Sequence, residues 1–205
     1  MSKILVTGGT GFIGSHTVVE LHHAGYEVVI VDNFSNSNPK ILTQLEKITG
    51  KKFELFELDL CDEAKVQEFV KNNPDITGVI HFAAFKAVGE SVQQPLKYYR
   101  NNFYSLINVI NAFNSTVDLV FSSSCTVYGQ PDVLPVTEAA PVKKAESPYG
   151  NTKQIAEEIL QESCAVTPSL KVISLRYFNP VGAHDTSLIG ELPIGVPQNL
   201  VPFIT

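Results

Sequence analysis

Short apolar runs and stretches of helical spacing alternate along this chain. Ile4, Leu5 and Val6 form a run of branched side chains broken sharply by glycines, which predicts a buried strand ending at Thr7 and turning into a helix near Phe12. Residues 26–31 predict a second strand, the polar run 33–38 with Pro39 a loop, and residues 40–49 a helix. Further strands are expected at 53–58, 79–82, 119–122 and 172–176. Residues 63–73 and 95–113 carry helical spacing, as does a stretch from Ser147 to about Ser163, where Ser147 offers a capping hydroxyl and Pro148 a first-position proline. Such repeated alternation predicts an α/β fold, a doubly wound and mostly parallel sheet. Ligands in these sheets bind beyond the strand C-terminal ends. Thr7, Asp32, Asp59, Phe82, Ser122 to Ser124 and Tyr177 to Asn179 fall at such ends.

The glycine turn adds chemistry to the pattern. Gly8, Gly11 and Gly14, with Gly9, fit G-x-G-x-x-G between the first strand and the first helix. They permit a tight turn, close backbone approach to a ligand and close helix packing, and the free N–H groups at the helix start suit a pyrophosphate. Asp32 ends the next strand at about the 20-residue offset expected of a group that holds a ribose 2′-hydroxyl. Its carboxylate would repel a 2′-phosphate, so the expected cofactor is NAD rather than NADP.

Tyr149 and Lys153 stand at i and i+4 on the helix capped by Ser147, hence on one face. An ammonium beside a phenol favours the phenolate, the base that oxidation of a hydroxyl to a ketone requires. Alone, Tyr-x-x-x-Lys describes many surface helices. Joined to the nucleotide motif it points to hydride chemistry. One of Ser122, Ser123 and Ser124 could hydrogen-bond the reacting oxygen, or simply satisfy loop backbone groups.

Composition removes other classes. The chain has 205 residues, 44% hydrophobic and 18% charged, with a formal net charge of −6 and no cluster of Lys and Arg, which argues against nucleic acid. Cys61, Cys125 and Cys164 show neither a disulfide framework nor zinc spacing, so no metal is expected. No secretory segment or membrane-spanning run is seen, and a cytoplasmic setting is expected.

Thr-Gly-Gly-Thr-Gly-Phe-Ile-Gly, Ser-Ser-Ser-Cys-Thr-Val-Tyr-Gly and Tyr-Gly-Asn-Thr-Lys together resemble the extended short-chain dehydrogenase/reductase family. Lys86-Ala-Val-Gly-Glu-Ser91, Arg176-Tyr-Phe-Asn-Pro-Val-Gly-Ala-His184 and Pro197-Gln-Asn-Leu200 are similar to its nucleotide-sugar epimerases. The resemblance implies a Rossmann-like NAD-binding domain over residues 1–178 and the start of a substrate-binding region over 179–205. It implies Tyr149 as proton acceptor, Lys153 as the group that holds the nicotinamide ribose and lowers the phenol's pKa, and Ser124 as a substrate contact that helps pass the proton. Phe12 and Ile13 match the amides over the pyrophosphate. Asp32, Asn33, Phe34, Ser35, Asn36 and Ser37 match the adenosine ribose loop, and Asp59 and Leu60 the adenine edge. Phe82, Ala83, Ala84, Phe85, Lys86, Asn101 and Phe178 match further cofactor contacts, with Asn102 competing for the role of Asn101. Asn179, Asn199 and Leu200 match positions that hold the UDP-sugar.

The activity so implied is inversion of C4 of a UDP-hexose, UDP-glucose or UDP-galactose, through a 4-keto sugar, by a homodimer. The alternatives are an epimerase or reductase acting on another nucleotide sugar, N-acetylated or a uronate, a nucleotide-sugar 4,6-dehydratase, and a non-catalytic NAD-binding module. A dehydratase typically carries Asp-Glu after the Ser/Thr that ends the fifth strand, where this chain has Cys125-Thr126-Val127. Cys125, Ala84, Phe85 and Asn151-Thr152 depart from the family's usual residues without touching the acid–base groups. The family continues beyond an equivalent of Thr205 into a lobe that closes over UDP, so the sequence is expected to be truncated there.

Overall fold

The computed structural model describes residues 2–114 and 117–193. In chain order its elements are β1 (Lys3–Thr7), α1 (Phe12–His23), β2 (Glu27–Asp32), α2 (Lys40–Thr49), β3 (Glu54–Glu57), α3 (Glu63–Asn72), β4 (Ile76–His81), α4 (Val88–Gln93), α5 (Pro95–Phe113), β5 (Asp118–Ser124), α6 (Pro148–Val166) and β6 (Lys171–Tyr177). A 3₁₀ turn, Cys125–Tyr128, follows β5.

All six strands pair in parallel, in the order β3-β2-β1-β4-β5-β6. The order reverses between β1 and β4, which opens a crevice at their C-terminal ends. Side chains alternate across the sheet, so adjacent residues feed two cores. Leu5, Val29 and Val31 pack with Val66 of α3, Leu106 and Val109 of α5 and Leu160 of α6 on one face. Val6, Val28 and Ile30 pack with Val18 and Val19 of α1 and Leu45 of α2 on the other. Ile189, from the segment after β6, is buried in this second cluster.

Two elements escaped the pattern. The sequence places the fourth strand at 79–82, yet β4 begins at Ile76, because Gly78 weakens a strand signal while tertiary packing demands it: a Cβ there would stand 2.9 Å from Ile4 Cδ1. The short α4 lies in a segment to which the sequence pattern assigns no element, with no long apolar period to reveal it.

Candidate active site

The glycine turn closes tightly on itself and on β4. Gly8 has φ +68°, and a Cβ on it would meet Ala83 N at 2.9 Å, while one on Gly14 would overlap the carbonyl oxygen of Gly8. Gly11 caps α1 with no side-chain hydrogen bond, so the first N–H groups of the helix, at Phe12 and Ile13, face the turn.

Asp32 ends β2 beside this turn. Its Oδ2 accepts the N–H of Thr10 at 3.1 Å, and its Oδ1 accepts the N–H of Phe34 at 2.9 Å and the hydroxyl of Ser37 at 3.1 Å. Three bonds leave acceptor capacity on a carboxylate for a ribose hydroxyl. They also hold Phe34 at φ +55°, which a non-glycine residue adopts only when its surroundings impose it. Asn33 Oδ1 accepts the N–H of Ser35; Asn36 is exposed on the loop.

A cleft runs from Gly8 past Asp32, Asn33 and Ser35 to Asp59 and Leu60, closed by Ala83, Ala84, Phe85 and Asn101. Ten positions expected to hold cofactor therefore share one wall. Leu58 and Ser105 also line it; the sequence reading missed both, although Ser105 lies one turn after Asn101 on a recognised helix. The two asparagines divide their work. Asn101 faces the cleft, whereas Asn102 is 6% exposed and uses its whole amide internally. Phe82 is half-buried, its ring 6.4 Å from that of Tyr177. Lys86 is exposed and pairs with Glu191 at 3.4 Å. Phe178 and Asn179 follow β6, both exposed and outside the cleft wall. Asn199 and Leu200 lie outside the described residues.

Beyond the switch point, β5 and α6 bring together the residues expected to do acid–base chemistry. The Ser147 hydroxyl accepts the N–H of Gly150 at 3.1 Å and starts α6. Lys153 is 4% exposed; its Nζ donates to the carbonyl of Ser122 at 2.7 Å and sits 4.8 Å from the Phe121 ring and 5.9 Å from that of Tyr149. Burial holds the ammonium down at about 8, with Glu157 pulling upward. Of the three serines, only Ser124 reaches the phenol: Ser122 offers its carbonyl to Lys153 and Ser123 gives its hydroxyl to Glu157.

One expectation is corrected here. Tyr149 lies above its ordinary pKa, not below it: burial pushes it up, a hydrogen bond with Ser124 opposes, and Cys125 adds a further upward push. The ammonium gives its hydrogen bond to a backbone carbonyl on the strand and stands 5.9 Å from the centre of the phenol ring. His81 at the end of β4 is buried, bonded to Thr7 Oγ1 at 2.9 Å, and held down at about 3 by burial and then by the charge of Lys153. Thr7 is thereby tied to the adjoining strand where the dinucleotide crevice opens.

The sequence pattern of the NAD dependent epimerase/dehydratase family matches residues 4–193. The chain belongs to this family. The UDP-glucose 4-epimerase of Haemophilus influenzae is 49% identical over 204 residues, covering 98% of this chain and 60% of that protein. That of Mus musculus is 46% identical over 213 residues, covering 100% and 61%. The chain thus spans about 60% of the length of the curated relatives it matches. A UDP-glucose 4-epimerase from Bifidobacterium longum, solved in complex with NAD⁺ and UDP, superposes with a TM-score of 0.93 at 47% identity, over 99% of this chain and 61% of that one. The family's Rossmann-like sheet is the one described above. Among the described residues, no group of His, Cys, Asp and Glu could hold a metal ion, and no helix is long and apolar enough to cross a membrane.

Proposed function

We propose that this chain carries the cofactor site and acid–base group of an NAD-dependent epimerase that inverts C4 of a UDP-hexose, interconverting UDP-glucose and UDP-galactose. The observation that carries the reading is the gathering of Tyr149, Lys153 and Ser124 at the C-terminal end of β5, beyond the β1–β4 crevice whose wall is the glycine turn and Asp32. The residues present fit NAD: the turn has no room for a Cβ at Gly8 or Gly14, and a buried carboxylate beside it keeps acceptor capacity. Relatives named UDP-glucose 4-epimerase, and a neighbour holding NAD⁺ and UDP, support the same assignment.

NAD, when bound, supplies the hydride acceptor that turns the sugar's 4-hydroxyl into a ketone and the donor that returns hydride to the opposite face. This chain supplies the proton path. The phenol oxygen of Tyr149, as phenolate, takes the proton of the 4-hydroxyl and later gives it back; the Ser124 hydroxyl orients that oxygen and relays the proton. Lys153 holds positive charge beside the phenol and reaches toward the nicotinamide ribose. Gly8, Gly11, Phe12, Ile13 and Gly14 seat the pyrophosphate, the loop from Asp32 to Ser37 the adenosine ribose, and Asp59 and Leu60 the adenine. Asn179, Asn199 and Leu200 are assigned to the UDP-sugar, and Phe178 to the nicotinamide end.

Residues 1–178 form the cofactor domain in this reading, and 179–205 begin the substrate region. A cytoplasmic homodimer completes it; the exposed Leu96 and Tyr104 of α5 are the apolar surface that supports assembly. In the full-length protein, Tyr149→Phe should lower interconversion of UDP-glucose and UDP-galactose by about three orders of magnitude or more, with NAD still bound. Near-parental turnover would discard the assignment.

A further inference from the structure

Glu157 lies two turns after Tyr149 and one after Lys153 on α6, and the proton path above does not use it. Its carboxylate is nevertheless the most heavily engaged on that helix. The Ser123 hydroxyl donates to Oε1, Arg176 Nε donates to Oε1 at 3.0 Å and to Oε2 at 3.3 Å, and Nη2 donates to Oε2 at 2.6 Å. Arg176 stands opposite Ser123 in the β5–β6 register, its guanidinium 4.8 Å from the ring of the buried Tyr128. Both side chains are largely shielded, Arg176 at 24% exposure and Glu157 at 17%.

The three groups on this helix face answer the three serines that end β5. Tyr149 meets Ser124, Lys153 meets the carbonyl of Ser122, and Glu157 meets Ser123. A two-pronged guanidinium fixes a carboxylate in angle as well as distance. With the carboxylate so engaged, it cannot swing up one turn to close on Nζ of Lys153.

We infer that Glu157, clamped by Arg176, is a positioning residue for Lys153: it sets the seat of α6 on β5 and keeps the buried ammonium charged without capturing it. The inference rests on the proposed role of Tyr149 and Lys153. The groups that face the ammonium are Tyr149 and Glu157 on its own helix, Phe121 and the Ser122 carbonyl on β5, and His81 on β4, which is neutral at working pH; Arg176 on β6 acts through Glu157. Among the described residues, Glu157 is the one carboxylate that counters the cost of burying Lys153. Its removal therefore lets the ammonium lose its proton near neutrality and leaves the phenol harder to ionise.

The test is a pH titration of phenolate absorbance on the intact, NAD-loaded protein, with Tyr149→Phe subtracted to isolate this residue. Glu157→Gln should raise the Tyr149 midpoint by about one pKa unit or more, a tenfold loss of phenolate at a given pH, while KM for the UDP-sugar changes little and kcat falls in step. Glu157→Asp, which keeps the charge, should recover most of the shift. Because Glu157→Gln strands a guanidinium and can unfold the chain, the doubly neutral Glu157→Gln/Arg176→Gln variant carries the same test with no charge left over. A folded neutral variant whose midpoint stays at the parental value overturns the inference. Full turnover by Tyr149→Phe would instead overturn the proposed function, so the two failures are distinguishable.

Discussion

Asn102 closes its side-chain amide on the backbone of Phe85 from both ends: the Phe85 N–H donates to Oδ1 at 2.9 Å, and Nδ2 donates to the Phe85 carbonyl at 3.1 Å. Nδ2 also donates to Thr152 Oγ1 at 3.0 Å, and Oδ1 accepts from Asn101 Nδ2 at 3.0 Å. Four bonds are all that an asparagine amide can make in this geometry. The loop after β4 is thereby fastened to α6, directly between Tyr149 and Lys153. Asn102→Ala should destabilise the fold by about 3 kcal/mol, through the buried groups left unpaired. Asn101→Ala should leave the melting temperature nearly unchanged and weaken NAD binding instead. Thermal melts and calorimetric titration with NAD separate the two.

Gly14 and Gly25 differ in what surrounds them. A Cβ at Gly14 overlaps the carbonyl of Gly8, whereas Gly25, at φ +84°, has nothing within 4 Å. Gly14→Ala should push α1 off the turn, costing about 3 kcal/mol and abolishing dinucleotide binding. Gly25→Ala carries only backbone strain, about 1 kcal/mol, with binding intact. Equal effects of the two on NAD affinity would contradict the cradle.

Asp32 serves both the loop and the ligand. Asp32→Ala removes the acceptor for Thr10, Phe34 and Ser37 together. It should lower NAD affinity by at least about tenfold and stability by about 2 kcal/mol. Asp32→Ser, which removes the charge that repels a 2′-phosphate, should narrow the preference for NAD over NADP, measured as a ratio of dissociation constants.

His81 makes stability depend on pH. Its imidazole titrates at about 3 in the folded chain, against 6.5 for an ordinary histidine. Between those values the unfolded chain binds the extra proton, so stability rises with pH across the window and is lost as pH falls through it. The effect at full extent is on the order of several kcal/mol. Urea denaturation of the parent and of His81→Gln at a series of pH values should show the parent's advantage shrinking below pH 6.5. A gap independent of pH would mean that the imidazole is not held neutral.

Much of the site was legible before any coordinates. The sequence locates the glycine turn, Asp32 at the end of the second strand and the Tyr149–Lys153 face of a capped helix, because each depends on neighbours within a few residues. What it could not rank was any choice between adjacent side chains. Asn101 and Asn102, or Ser122, Ser123 and Ser124, have equal claims when local period is the sole criterion.

Those choices were made by how α5 and α6 rotate against the sheet. That rotation turns Asn101 to the cleft and Asn102 to the Phe85 loop, and aligns three helix turns with three consecutive serines. It also placed Glu157 between Ser123 and Arg176, two residues on neighbouring strands that no spacing relates to the helix. The order of the elements and their chemistry follow from hydrophobic period and turn residues, which act over short stretches of chain. Which atom faces which follows from strand register and helix docking, which are settled only when distant segments pack.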